Sequence, residues 1–208
     1  MSSDSLTANH VPAFADPVHD AQRTFRVLLE AMARPTLPRQ IPPVADGSLH
    51  TPGPMPAAVG AVLLTLCDEH TSIWLDDTLG GSDEVRLWLR FHTGAKLVDD
   101  PAEASFVVAT PASAPRLIDL AQGTDEEPHR SATLVLDATD AAPTMAFVAT
   151  GPGVNGRVDW LDAALPADFA DQWAVNHDRF PQGVDVFVVD ADTVRALPRT
   201  TNLERKAD

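Results

Sequence analysis

The sequence predicts an α/β protein, a three-layer helix-sheet-helix arrangement built around a mixed sheet. Three observations lead there. Amphipathic stretches at helical spacing alternate with short β-branched runs along the chain. The run Val184 to Val189 is almost wholly apolar, as suits a central strand covered on both faces. No internal repeat or linker divides the 208 residues, a length suited to one domain. That domain is expected over residues 14–203, with 1–13 as a flexible N-terminus and 204–208 as a tail.

Asp16-Pro17 opens the first helix, because Asp16 can accept from free N–H groups and Pro17 at the first helical position has no N–H to lose. Val18, Ala21, Phe25, Leu28, Leu29 and Met32 fall on one side and are expected to face the core; His19, Arg23, Arg26 and Glu30 fall opposite. Arg34-Pro35 ends the helix. The prolines at 38, 42, 43, 52, 54 and 56 then predict an extended surface crossing with a short strand near Ile41. Ala57 to Glu69 reads as a buried helix and Ser72 to Leu75 as a strand. Ser82 caps a helix over Asp83 to Phe91, with two acids in its first turn and Gly94 just past its end.

Ser105 to Thr110 reads as a strand and Pro115 to Ala121 as a short helix stopped by Gly123. Strands are expected at Ala132 to Leu136, Thr144 to Ala149 and Arg157 to Leu161, the last preceded by a loop from Gly151 to Gly156. A helix from about Ala167 to His177 stops at Phe180-Pro181, and the strand Val184 to Val189 follows. Asp192 to Leu197 is expected as a short helix or turn, and Arg199 to Leu203 as an extended tail leaving the domain.

Fifteen Lys+Arg against 30 Asp+Glu give a formal charge of −15, which excludes a general nucleic-acid binder. Thirteen of the fifteen are Arg, the only lysines are Lys96 and Lys206, and Tyr is absent. Schiff-base chemistry therefore has two positions to choose from, and tyrosine acid–base chemistry has none. Cys67 is the only cysteine, so an internal disulfide and a four-thiolate zinc or iron–sulfur site within the chain are excluded. Met1 to Pro12 has no signal-peptide pattern, and the longest apolar run, Ala57 to Leu66, is far short of the roughly 18 residues of a membrane span. A soluble cytoplasmic protein with no membrane partner is expected.

Gly151, Gly153 and Gly156 spell G-x-G-x-x-G, but Val158 to Leu161 reads as strand where a nucleotide loop needs a helix, so a tight structural turn is expected. No histidine pair stands at i, i+4, which gives a helical zinc site no support. Asp76-Asp77 and Asp99-Asp100 read as solvated turns. Concentrated Arg on the first helix is more informative, since guanidinium offers bidentate donors to an anion or an acidic partner. Arg90, His92, Arg199, Thr200 and Thr201 add donors. A competing structural use has Arg26 and Arg199 tying helix and tail together.

Taken in order, the segments Phe14 to Gln22, Phe25-Arg26, Ala31-Met32 with Pro35, Leu64 to Leu66, Trp74-Leu75, Leu89 to Gly94, Ala132 to Leu134, Gly151 to Val154, Phe180-Pro181 with Gly183 to Asp185, and Leu197 to Thr201 resemble PhnH, the H-subunit family of the bacterial carbon–phosphorus lyase system. The resemblance implies a non-autonomous, homodimeric subunit that works with the G, I, J and K subunits. In that system the I subunit, supported by G, H and L, replaces the adenine of MgATP with a phosphonate, giving ribose 1-phosphonate 5-triphosphate. It further implies a fold similar to the PLP-dependent transferases without a PLP site, and no cofactor bound by this chain. Gln22, Arg26, His92, Thr93, Arg199 and Thr200 lie in the shared segments and form the candidate polar cluster for a ligand or an interface; no residue receives a catalytic role. Two departures stand out: Thr36 where the family commonly has Gly, and Gln182 where it commonly has Leu. The rival readings are a stand-alone PLP-type enzyme using Lys96 and a nucleotide-binding protein using the Gly151 loop.

Overall fold

The computed structural model describes residues 13–206, so the expected flexible N-terminus lies, apart from Ala13, outside the described residues. Asp16 does cap the first helix, α1 (Pro17–Ala33): its carboxylate accepts the His19 N–H at 3.1 Å. The other helices are α2 (Pro42–Ala45), α3 (Ala57–Leu66), α4 (Asp77–Gly80), α5 (Asp83–Thr93) and α6 (Phe169–Asp178). Helix α5 has the ends its sequence dictates. Ser82 Oγ accepts the Val85 N–H, and Gly94 closes the helix at φ 72°.

The strands are β1 (Arg39–Gln40), β2 (Ser72–Leu75), β3 (Lys96–Leu97), β4 (Phe106–Ala109), β5 (Thr133–Asp137), β6 (Met145–Thr150), β7 (Val158–Ala163), β8 (Asp185–Val189), β9 (Thr193–Leu197) and β10 (Asn202–Arg205). Seven of them form a mixed sheet in the order β1-β9-β8-β5-β4-β2-β3. β8, β5, β4, β2 and β3 run parallel, and β9 is antiparallel to both its neighbours. Alternation along the central strands sends side chains to two separate cores. Val108, Val135, Phe187 and Val189 pack under α1, α3 and α5; Val107, Leu134, Leu136, Val186 and Val188 pack toward α6 and a second sheet, β10-β6-β7.

The mixed α/β architecture is therefore as expected, but the second outer layer is one helix and a small antiparallel sheet in place of helices. Asp192 to Leu197, expected as a short helix or turn, instead forms strand β9 of the large sheet, with Val194 and Ala196 buried while Thr193 and Arg195 are only partly covered. The expected tail is also part of the fold. Asn202 to Arg205 pairs with β6, and the Trp173 indole N–H donates to the Thr201 carbonyl at 2.9 Å. Pro115 to Ala121 forms only a three-residue 3-10 turn, Leu117–Asp119. Side chains take the bonds a helical ladder would use there: Gln172 accepts the Leu117 N–H, and Gln122 Nε2 donates to the Leu117 and Leu120 carbonyls.

Helix α1 is rotated from the expected face. It buries Asp20, Thr24, Leu28 and Ala31, while Val18, Phe25 and Leu29 stay exposed. The Asp20 carboxylate is neutralised in place, accepting Arg23 Nη2 at 2.6 Å and the Asp16 N–H at 3.0 Å.

Thr36 stands where the resemblance leads one to expect glycine, and its backbone is of the kind glycine favours. It sits at φ 67°, is buried, and its hydroxyl has no partner, while its N–H donates to the Ala196 carbonyl and its carbonyl accepts from Arg195 Nε. A β-branched residue in the left-handed region costs about 1–2 kcal/mol. Thr36→Gly is expected to raise stability by about 1 kcal/mol, read as a higher denaturation midpoint at unchanged m-value; an unchanged or lower midpoint contradicts this. The other departure, Gln182 in the turn before β8, donates its side-chain amide to Asp125, in the segment just after Gly123, at 2.9 Å.

Candidate functional site

The six residues of the candidate cluster fall in three places. Gln22 and Arg26 lie on the exposed side of α1, where neither side chain has a bonding partner among the described residues. The neighbouring side chains are taken: His19 Nδ1 is 2.7 Å from Asp16, and Arg23 binds Asp20 and lies 3.6 Å from Asp46. The His19 backbone and ring bonds hold the Asp16 carboxyl below the usual carboxylate range.

His92 and Thr93 end α5. The fold brings His92 toward α1, since it lines a groove of about 270 Å³ with Phe14, Pro17, Ala21, Leu64 and Phe91. Its ring packs on Trp88 at 4.8 Å and edge-on to Phe91 at 4.9 Å. The Nε2 atom is buried with no partner, and desolvation pushes the imidazole pKa below its usual value. Thr93 serves the helix end: its hydroxyl donates to the Leu89 carbonyl at 2.7 Å and accepts the Ala95 N–H at 3.0 Å.

Arg199 and Thr200 lie elsewhere, between β9 and β10. Arg199 pairs with Asp185 through Nε at 3.2 Å and Nη2 at 2.6 Å, and its other donors reach the Pro128 and Pro181 carbonyls, each at 3.1 Å, and Ser131 Oγ. All five guanidinium N–H groups are thus engaged within the chain, and a phosphate or phosphonate oxygen would find none free. Arg199 does tie elements together, but it joins Asp185 and the approaches to β5 and β8 and makes no bond to α1. Thr200 closes on the glycine loop instead. Gly151, at φ 114°, brings its backbone so near the Thr200 carbonyl that a Cβ would stand 3.0 Å from it.

The same loop disposes of the nucleotide reading on physical grounds. Gly153, at φ 80°, lies against the end of α1, where a Cβ would meet the Ala33 carbonyl at 2.3 Å. The chain then continues into β7 where the nucleotide fingerprint requires a helix. Lys96 opens the edge strand β3; its backbone N–H donates to the Thr71 carbonyl at 3.1 Å, and its exposed side chain has no bonding partner among the described residues. Cys67 caps α3, and burial pushes its thiol up to about 12, so it stays protonated and inert at neutral pH.

Asp76 is not the solvated turn residue expected from the sequence. It is buried at the carboxyl end of β2, where it accepts the Leu79 N–H at 3.1 Å, the Thr110 N–H at 3.2 Å and the Ser113 hydroxyl at 2.6 Å. Asp77 beside it is exposed, as a solvated turn requires. Both line a cavity of about 420 Å³ with Arg86 and Asp99 at the strand ends, the position where open α/β sheets bind ligands. Asp76 is there a structural carboxylate, joining the start of α4 to the loop after β4. No group of three or more His, Cys, Asp or Glu among the described residues is arranged to hold a metal, and no described helix is long and apolar enough to cross a membrane.

A mixed α/β domain whose best-placed arginine is committed to its own framework, and whose first helix leaves an apolar stripe outside, has the character of a component that meets other surfaces. Residues 12–204 match the family described as Bacterial phosphonate metabolism protein (PhnH), and the chain belongs to that family. It is 38% identical over 195 residues to alpha-D-ribose 1-methylphosphonate 5-triphosphate synthase subunit PhnH of Rhizobium meliloti (strain 1021), covering 93% of this chain and 95% of that protein. It is 29% identical over 191 residues to the putative C-P lyase subunit protein HtxG of Stutzerimonas stutzeri, covering 89% of this chain and 86% of that one.

Proposed function

We propose that this chain is a non-autonomous subunit of a carbon–phosphorus lyase complex, supporting the formation of ribose 1-phosphonate 5-triphosphate from MgATP and a phosphonate. The observation that carries this is 38% identity running through almost the whole of both chains to a subunit named for that synthase. The engagement of Arg199 within the chain supports it, because the strongest anion-binding candidate is committed to structure. In this reading the chain binds no cofactor, MgATP is a substrate of the assembled complex, and the partners are a second copy and the G, I, J and K subunits in the cytoplasm. The fold is then of the PLP-transferase type without PLP, which accords with Lys96 on an edge strand.

Co-expression with the G, I and J subunits of the same genome tests the assembly directly. A tagged copy of this chain is expected to carry all three through purification in fixed ratio. A folded chain that elutes alone contradicts the reading.

A further inference from the structure

Helix α6 and the segment carrying the 3-10 turn Leu117–Asp119 enclose a cavity of about 310 Å³. Small-molecule sites occupy roughly 300–1,000 Å³, so this one suits a small ligand. Its floor is fixed by amides already committed to the fold: Gln172 accepts the Leu117 N–H at 2.8 Å and donates to Asp168, Gln122 donates to the Leu117 and Leu120 carbonyls, and Asn176 donates to the Val184 carbonyl. Such a groove keeps its shape when empty, which lowers the cost of binding. Two apolar side chains, Ile118 and Val175, line it and remain 38% and 52% exposed.

The charged side chains around this cavity do not neutralise one another. Arg116 and Arg179 share it with Asp168 and Asp171, yet neither guanidinium has an ion-pair or hydrogen-bonding partner among the described residues. Elsewhere on the surface arginines close on nearby acids, as Arg23, Arg39, Arg130 and Arg195 do. Asp168 accepts the Gln172 amide at 2.8 Å, whereas the Asp171 carboxylate has no partner among the described residues. Helix α6 keeps the opposite signs apart. Asp171 in its first turn and Arg179 just past its last are eight residues, about 12 Å, apart along the axis, each at the end whose dipole favours its charge. Arg116 is held beside Gln172, because Gln172 accepts the N–H of the next residue. A simple anion in the cavity would meet Asp171 and a simple cation would meet the arginines, so the ligand that satisfies all three carries both signs.

We propose that this groove is a binding site for a short zwitterion in which an alkyl chain joins an ammonium group to a phosphonate or phosphate dianion. Arg116 and Arg179 take the phosphorus oxygens, since two guanidiniums match a tetrahedral dianion in charge and offer it bidentate donors. Asp171 takes the ammonium, and the alkyl chain lies on Ile118 and Val175. The charge pattern rests on the groove; that the dianion is a phosphonate rests on the subunit reading above.

The test is titration calorimetry of the full chain with 2-aminoethylphosphonate, and with O-phosphorylethanolamine to distinguish a phosphate ester from a phosphonate. One site per chain is expected. Ethylphosphonate, which lacks the ammonium, and ethylamine, which lacks the anion, should each bind roughly tenfold or more weakly. Arg116→Gln and Arg179→Gln should each weaken binding of the zwitterion by a similar factor. Asp171→Asn should abolish the preference over ethylphosphonate without weakening ethylphosphonate itself, a change that a merely structural role would not produce. All three positions are exposed, so the variants are expected to keep the wild-type melting temperature. Val175→Trp, which fills the groove, should also abolish binding. Tighter binding of O-phosphorylethanolamine supports the site and assigns it to a phosphate ester. Absence of binding of both zwitterions to the wild-type chain at millimolar concentration overturns the proposal, as does equal affinity for ethylphosphonate or unchanged binding by the double variant Arg116→Gln, Arg179→Gln. Co-purification with the G, I and J subunits is read separately, so the subunit reading stands or falls independently of these titrations.

Discussion

Arg199→Ala is expected to destabilise the protein by about 3–5 kcal/mol, the range for breaking a largely buried ion pair. The Arg199 and Asp185 side chains are only 13% and 21% exposed. Without the guanidinium, Asp185 keeps only the Arg199 backbone N–H at 2.7 Å, the Pro181 carbonyl loses its side-chain donor, and the Pro128 carbonyl keeps only the Ser131 N–H. The loss falls at the start of β8 and beside the entry to β5, two central strands of the large sheet. Arg199→Lys should recover little of it, because one ammonium cannot match a bidentate fork that also reaches two carbonyls. A double-mutant cycle with Asp185→Ala should show strong coupling. A midpoint shift worth less than about 1 kcal/mol for Arg199→Ala would mean that this pair behaves like an exposed one.

Trp173→Ala should cost a similar amount, about 4 kcal/mol. The side chain is 1% exposed, stacks on Phe169 with ring centroids 5.6 Å apart, and donates its indole N–H to Thr201. Substitution leaves a cavity in the second core and frees the segment leading into β10, so amide exchange at residues 202–205 should accelerate along with the loss of stability. Trp173→Phe, which keeps most of the bulk and loses the hydrogen bond, should cost less than half as much. Equal effects of the two substitutions would contradict the packing account.

Both predictions concern the end of the chain, where local sequence is least informative. Helix α5 was legible because its ends are written locally, in Ser82, the two acids after it and Gly94. The central strand β8 was legible because burial on both faces requires an unbroken apolar run. Strand β10 was not, since its pairing partner β6 lies about fifty residues away and leaves no mark on residues 202–205. Strand β9 offered only one turn of alternation, Thr193 to Ala196, and Asp192 before it resembles a helix cap.

The candidate site was legible as a set of donors and illegible as an arrangement. Arg26 and Arg199 look equivalent in sequence; the fold leaves one unpartnered on a helix face and surrounds the other with four acceptor residues. Asp76 and Asp77 are equally alike, and one residue of register puts the first under three donors and the second in water. On α1, hydrophobic periodicity correctly found the helix and misjudged its rotation. The apolar pattern there is wider than the face the core accepts.

The central claim, that this chain acts within an assembly that replaces the adenine of MgATP with a phosphonate, is tested most directly by adenine release. The purified partner subunits are incubated with MgATP and methylphosphonate, with and without this chain, and free adenine is followed by chromatography. Adenine is expected from the complete mixture, much less when this chain is omitted, and none from this chain alone. Equal release with and without it would contradict the account.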